Sequence, residues 1–397
     1  FESPDFSNLK IFSNNDFSFK LDKKFRFSGL NIKSKIDLKN LNYENKKLSL
    51  KSYLPNFKGS VLLKDHNIQL NFNKNDLSIS GNGKYLFDKK EDKINYNVKL
   101  VKDNYEFDSE VQFNNNPVLI KILNYSKEEN KNSSLKLKGV FKKNKSLILK
   151  KILFKESKNQ ILLEELSLNE KLKINYINNL ELDILSKNEK FNKISFKKNK
   201  KNYELNGKIF DASIFIDKIL ESDNNNEELS IFNNFNSNVI VKIDKTYIDK
   251  ISYINNLIGS INFTNNKINQ LKLESNFSNN RKITLTITKN ENNEKVTTLF
   301  SEHPKPLVKR YKFIKGFEDG VLDFQSIKKN NVSRSELRID NFKVKEVPIL
   351  AKLLSLASLQ GIADLLTGEG IRFTDFEMIF SNKDKKMTIN EIYAIGP

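Results

Sequence analysis

From Phe17 to about Ile287 the chain alternates apolar and polar residues with a period of two, and this property constrains the fold more than any other. Period two places every apolar side chain on one side of an extended strand and every polar one on the other. Phe17, Phe19 and Leu21 alternate with Ser18, Lys20 and Asp22, and Leu30, Ile32, Ile36 and Leu38 follow the same rule. The pattern returns in Ile94-Tyr96-Val98-Leu100, Tyr105-Phe107-Val111-Phe113, Leu271-Leu273 and Ile283-Leu285-Ile287. One-sided alternation predicts antiparallel sheet with one dry face, because parallel strands covered on both sides read as unbroken apolar runs. It argues against an α/β fold.

Short polar clusters punctuate the runs and are the expected turns: Asn14-Asn15, Gly81-Asn82-Gly83, Asn114 to Asn116, Asn224 to Asn226 and Asn265-Asn266. Roughly twenty to twenty-five strands at a spacing of about 4.8 Å would make an unclosed sheet roughly 100 to 120 Å wide. Sheets of that width curl or split, so a long curled groove, two successive sandwiches and a large barrel are the candidate architectures. A lipid-embedded barrel fits least well, because its two aromatic girdles are missing.

The preferred reading is a mainly β protein, a long curled antiparallel sheet forming an elongated apolar groove, with a repetitive strand region over residues 1–201 and a second region over 202–397. One amphipathic helix is expected near the end. Pro348 precedes a stretch over residues 349–366 with Leu350, Leu353, Leu354, Ala357, Ile362 and Leu365 near helical spacing, and Gly368 supplies a stop.

The net charge of +19 invites a nucleic-acid or anionic-membrane role. Only six of the 68 basic residues are Arg, and the excess of Lys, Asn, Ile and Phe is the signature of an AT-rich coding bias. Nucleic-acid stacking platforms interleave aromatic and basic residues on one face. Here Phe25-Arg26-Phe27 and Tyr105-Glu106-Phe107 read as strands with aromatics on one side and charge on the other. No nucleic-acid partner is expected.

Catalytic patterns are missing too. The chain has no cysteine, which excludes disulfides and thiolate metal sites and suits periplasm and cytosol equally. Its two histidines, His66 and His303, stand far apart in sequence, too few for a His-based metal site or nucleophile system. Gly81-Asn82-Gly83-Lys84 lacks the spacing and the Ser or Thr of a phosphate loop, and Gly368-Glu369-Gly370 follows a helix pattern instead of opening one. Acidic pairs such as Glu164-Glu165 and Glu318-Asp319 read as solvated surface. The sequence therefore points to a non-enzyme with no cofactor and no metal.

One resemblance stands out. Gly316-Phe317-Glu318-Asp319-Gly320-Val321-Leu322-Asp323-Phe324, Leu337-Arg338-Ile339-Asp340-Asn341-Phe342-Lys343-Val344, the stretch from Pro348 to Ile362, and Leu366-Thr367-Gly368-Glu369-Gly370-Ile371-Arg372-Phe373 resemble the C-terminal region of the AsmA-like proteins of bacterial envelopes. Gly207-Lys208-Ile209-Phe210-Asp211-Ala212 is similar to a Gly-x-x-x-Asp-Ala element of that family, so the resemblance covers roughly residues 202–397. It implies a bridge-like lipid transfer protein in the periplasm, held to the inner membrane by an anchor outside this sequence. The implied partners are phospholipids, the membrane and envelope proteins at either end.

On that reading the groove is lined by Phe17, Phe19, Leu21, Leu30, Ile32, Ile94, Tyr96, Val98, Tyr105, Phe107, Leu271, Leu273, Ile283 and Leu285, and the helix caps one end. A second reading is an outer-membrane assembly factor whose apolar face is a filled, lipid-free core. A third, resting on charge alone, is a polyanion-binding surface protein. Periodicity cannot separate the first two, because a residue packed on protein and one packed on an acyl chain are written identically.

Overall fold

The computed structural model describes residues 5–44, 50–74, 76–142, 146–213, 216, 231–310, 314–345, 367, 370–384 and 386–396. The protein is mainly β, and 21 of its strands belong to one long open sheet. The chain divides into two compact units, residues 1–198 with 230–234, and residues 199–229 with 235–397.

The first unit runs through β1 (Asp5–Leu21), β2 (Phe27–Glu44), β3 (Ser60–Asn73), β4 (Asp76–Phe87), β5 (Lys90–Val101), β6 (Asn104–Gln112), β7 (Val118–Ile120), β8 (Tyr125–Lys127), β9 (Ser133–Phe141), β10 (Leu147–Glu156), β11 (Asn159–Leu168), β12 (Ile174–Leu185) and β13 (Phe191–Asn199). Apart from β7 and β8, which pair with each other, every strand here is antiparallel to the next in the sheet, with β9 beside β6. Opposite charges face each other across the polar side: Asp108 opposite Lys138 at 2.7 Å, Glu110 opposite Lys136 at 3.3 Å, and Asp183 opposite Lys193 at 2.9 Å. Each exposed pair contributes little stability, but a one-residue slip would break all of them and turn the apolar set to water, so they reinforce register.

The second unit holds β14 (Asn202–Asp211), β15 (Ser237–Tyr247), β16 (Tyr253–Thr264), β17 (Lys267–Asn276), β18 (Lys282–Lys289), β19 (Lys295–Ser301), the short helix α1 (Lys305–Arg310), β20 (Phe317–Lys329), β21 (Val332–Val344), β22 (Ile371–Lys383) and β23 (Lys386–Ile395). From β15 onward each strand is antiparallel to the next. The exception is β14, which lies parallel to β15 with Tyr203 opposite Val239 and Asp211 opposite Tyr247. A parallel pair needs a crossover connection, and residues 212–236 provide its length; period-two alternation carries no sign of strand direction.

Three sequence expectations need correction. Gly81-Asn82-Gly83 is no turn but the middle of β4, where the glycines make room for neighbouring rings: a Cβ on Gly81 would stand 2.6 Å from the Tyr96 ring, and one on Gly83 2.3 Å from the His66 imidazole. Asn14-Asn15 likewise lies inside β1, its two residues opposite Lys35 and Ser34. Phe25-Arg26-Phe27 is a turn leading into β2: Asp22 accepts hydrogen bonds from the backbone N–H groups of Lys24 and Arg26 at 2.8 and 2.9 Å and from Arg26 Nε at 2.6 Å. That capping ends the extended conformation, and Phe25 takes a φ of 56°. The expected helix over 349–366, with Leu350, Leu353, Leu354, Ala357, Ile362 and Leu365, lies outside the described residues.

Gly83→Ala will destabilise the first unit by about 1–3 kcal/mol by driving a methyl into His66. Adding His66→Ala will recover part of that loss, and urea denaturation of both single variants and the double variant measures the coupling.

Candidate functional site

Cross-strand register turns the alternation into continuous apolar rows. In the first unit one row passes through Ile94, Val111, Leu135, Phe154, Ile161, Leu182 and Ile194 on seven successive strands of the sheet. Beside it runs Ile36, Ile68, Gly81, Tyr96, Ser109, Leu137 and Ile152, and beyond that Leu70, Ile79, Val98, Phe107, Gly139 and Leu149. A last row holds Phe17, Ile32, Phe72 and Leu77, with Leu100 opposite Tyr105.

The register thus gathers Phe17, Ile32, Ile94, Tyr96, Val98, Tyr105 and Phe107 onto one face. Leu30 follows Ile32 by alternation and is half-buried, while Phe19 and Leu21 sit past a register shift, Phe19 packing on Phe27 at 4.9 Å and Leu21 opposite Phe27. Burial along this face is uneven. Ile94, Tyr96, Val98 and Phe107 are half-buried, whereas Phe17 is 68% exposed on β1, a strand whose residues are all exposed and which pairs with β2 alone among the described strands.

One end of this face is covered by protein. There Phe57, Phe113, Val118 and Tyr125, from the segments around residues 50–57 and 113–127, pack onto Tyr85, Phe87, Phe154, Ile161, Leu182 and the fully buried Ile184. A buried polar knot fastens this cover. Asp92 accepts the backbone N–H groups of Asn114 at 2.9 Å, Asn115 at 3.1 Å and Asn116 at 3.2 Å, and the side-chain amide of Asn116 at 2.9 Å. Lys127, 1% exposed, donates to the carbonyls of Phe113, Asn114 and Asn116, and burial pushes its pKa down. Tyr125 donates to Glu156 at 3.0 Å. Charged groups fully paired in this way hold a loop firmly, because removing one partner strands the other in a dry site. The sequence offered only an Asn-rich turn here.

His66 lies inside the apolar face, opposite Leu38 and over Gly83, with Nε2 2.9 Å from the Lys84 carbonyl and Nδ1 3.2 Å from the Tyr96 hydroxyl. Burial holds its pKa below the ordinary imidazole value. His303 is also shifted down by burial, with Arg281 and Lys305 adding to the effect, and its ring packs edge-on to Phe277 at 5.1 Å.

The second unit also carries continuous apolar rows. Its central row runs Leu205, Val241, Gly259, Leu273, Leu285, Leu299, Phe324, Leu337, Met378 and Ile392 across ten strands. Neighbouring rows hold Leu271 and Ile283, so Leu271, Leu273, Ile283 and Leu285 share this unit's apolar face. Leu307 and Val308 of α1 cover one end, packing with Ile283, Phe277 and Ile248 and with Phe317, Leu322 and Ile339 respectively. Arg310 ties the helix down by donating to the carbonyls of Ile248 and Ser213 at 2.5 and 2.6 Å.

On the polar side of the first unit a cavity of about 750 Å³ is bordered by Lys35, Asp37, Asn67, Gln69, Asn95 and Asp108. Glu318 is held by Lys305 at 2.5 Å, which keeps its carboxyl below the usual range, so it reads as an ion-pair partner. Among the described residues no group of three or more His, Asp and Glu side chains is placed to hold a metal, and no helix is long and apolar enough to cross a membrane. No family model, curated protein or solved structure matches this chain.

Both histidines have pKa values lowered in the fold, so below about pH 6.5 the unfolded chain binds protons that the folded chain resists. Stability is therefore complete above that pH and falls as the pH drops through it. Urea denaturation at pH 7.5 and pH 5.5 will show the loss, and His66→Gln and His303→Gln will each remove a share of it.

Proposed function

We propose that the protein is a non-enzymatic carrier of phospholipid, whose apolar sheet faces take acyl chains from water and whose charged faces keep it soluble. The observation that carries this reading is that apolar rows continue in register over many strands, and that in the first unit they run from the covered end at Phe57 and Tyr125 to half-buried and exposed residues such as Val98, Phe107 and Phe17. An ordinary core would be covered throughout. Each acyl methylene kept from water is worth about 0.8 kcal/mol, so an uninterrupted row of Ile, Leu, Val and Phe removes most of the cost of moving a lipid.

The resemblance of residues 202–397 to the AsmA-like family supports the same conclusion and extends it to a place between the inner and outer membranes, in a periplasmic protein anchored to the inner one and contributing to outer-membrane integrity. Within this proposal the sheet forms an elongated groove and the segment over 349–366 docks at one end. The rows contain His66 and Tyr96 but no arrangement of nucleophile, base and oxyanion donor, so the lipid is cargo and leaves chemically unchanged.

Native mass spectrometry with lipid extraction tests the carrier. The purified protein will hold several phospholipids per chain, and Val98→Asp with Leu100→Asp, both away from the covered end, will lose most of them while keeping the β circular dichroism signal. A lipid-free protein with a single cooperative melt would instead indicate faces that fill one another, as in an assembly factor.

A further inference from the structure

Among the described residues one five-residue turn closes hairpins at 22–26, 169–173, 186–190, 277–281 and 290–294. In each, the N–H of the first residue donates to the carbonyl of the fifth, and the N–H of the fourth donates to the carbonyl of the first. The fourth residue is left-handed throughout: Phe25, Leu172, Glu189, Asn280 and Asn293 have φ between 56° and 61°. That backbone suits Asn and is costly for a bulky apolar residue. Every other non-glycine residue with positive φ among the described residues is Asn, Asp, Lys, Ser or Glu, so Phe25 and Leu172 stand apart within this protein.

Burial does not offset the strain. Phe25 is 86% exposed and Leu172 45%. Their neighbours differ from those of the other three turns as well. Phe25 lies between Lys24 and Arg26, and Leu172 between Lys171 and Lys173, whereas Glu189, Asn280 and Asn293 each have an Asn on one side. Arg26 pairs with Asp22 at 2.6 Å, but Lys24, Lys171 and Lys173 have no carboxylate partner among the described residues. Each turn is pinned by its first side chain: Asp22 accepts from the N–H groups of Lys24 and Arg26, and Asn169 from those of Lys171 and Lys173 at 2.9 and 3.0 Å. Ile251, another exposed apolar turn residue, follows Asp249 and Lys250, whose charges cancel, and has no positive φ.

Position agrees with composition. Because successive strands of the first unit alternate in direction, the turns β1–β2 and β11–β12 fall at the end of the strands opposite the Phe57 and Tyr125 cover. The turn 186–190, with Glu189 at its tip, falls at the covered end, where Lys187 donates to the Asn124 carbonyl. Beside Phe25 the side chains of Phe19, Leu21 and Phe27 are exposed too. A strained, exposed apolar tip between cations matches a surface that is anionic outside and apolar just beneath, which is the headgroup layer of an acidic bilayer.

We infer that the turns at Phe25 and Leu172 are membrane contacts of the first unit, each placing its apolar side chain below the headgroups of an anionic phospholipid bilayer while Lys24, Lys171 and Lys173 meet the phosphates. This goes beyond the carrier reading, which stands or falls on lipid extraction. The contact needs no cargo, and cargo needs no contact at these two turns.

Co-sedimentation of the full chain with phosphatidylcholine vesicles, with and without phosphatidylglycerol, tests it. The wild-type protein will bind the vesicles that contain phosphatidylglycerol. Phe25→Asn and Leu172→Asn will each weaken that binding several-fold, and together by about tenfold or more. These substitutions leave the net charge of +19 unchanged, and they install the residue that the turns at 277–281 and 290–294 already use, so the double variant will melt at the same or a higher temperature. If the double variant binds as tightly as the wild type, net charge alone drives association and the tips are not contacts. If only one substitution has an effect, the assignment of the other turn is overturned. If the wild-type protein ignores both vesicles yet binds polyglutamate, and the double variant does not, the tips face an acidic protein and the membrane assignment fails. Phospholipid recovered from a protein that binds no vesicles would leave the carrier standing and overturn this inference alone.

Discussion

Cross-strand register is the constraint on which the rest of this structure depends. Each strand is flat evidence taken alone: alternation says that two faces exist, not what they face. Register makes Ile94 the neighbour of Val111, Leu135 and Phe154, and so converts short alternations into rows that cross whole units. The polar side is fixed by the same pairing, because Asp108 meets Lys138 only when Phe107 meets Gly139. Bulges interrupt the ladders without destroying the rows: between Leu149 and Lys151 the pairing shifts, and Ile152 is still opposite Leu137 and Leu163.

Both units cover one end of the apolar face with a separate segment, and they do so by unrelated means. The first uses a loop segment fastened by Asp92 and Lys127; the second uses a six-residue helix fastened by Arg310. In both, a few polar groups with several hydrogen-bond partners hold a cover that apolar contact alone would leave free to slide.

Much of this was legible in the residues. Period two identified the mainly β fold, the antiparallel pairing and the membership of each face, and Phe17, Val98, Phe107, Leu273 and Leu285 lie where alternation put them. Glycine was misread in β4, because in this composition Gly-Asn-Gly is turn chemistry, whereas here the missing Cβ atoms admit the rings of Tyr96 and His66 from adjacent strands. Such contacts depend on which strand is adjacent, and a single strand does not encode its neighbour. The Asp92 and Lys127 knot was invisible for the same reason, since its members are separated by more than thirty residues and each looks like ordinary surface charge.

The nearly unbroken succession of antiparallel neighbours has a further consequence, for the order in which the chain can fold. Most ladders join segments adjacent in sequence, so each hairpin can zip as soon as its second strand is available, with little loop entropy to overcome. The pair β14 and β15 is different, because its parallel ladder cannot close until residues 212–236 have returned to the start of β15. The row that begins at Leu205 and Val241 thus starts from a pairing that local zippering cannot supply, as does the ladder of β21 with β22, whose partners Val344 and Ile371 are also far apart in sequence. Both ladders carry a larger loop-closure cost than a hairpin does, so in the second unit they close after the local hairpins around them.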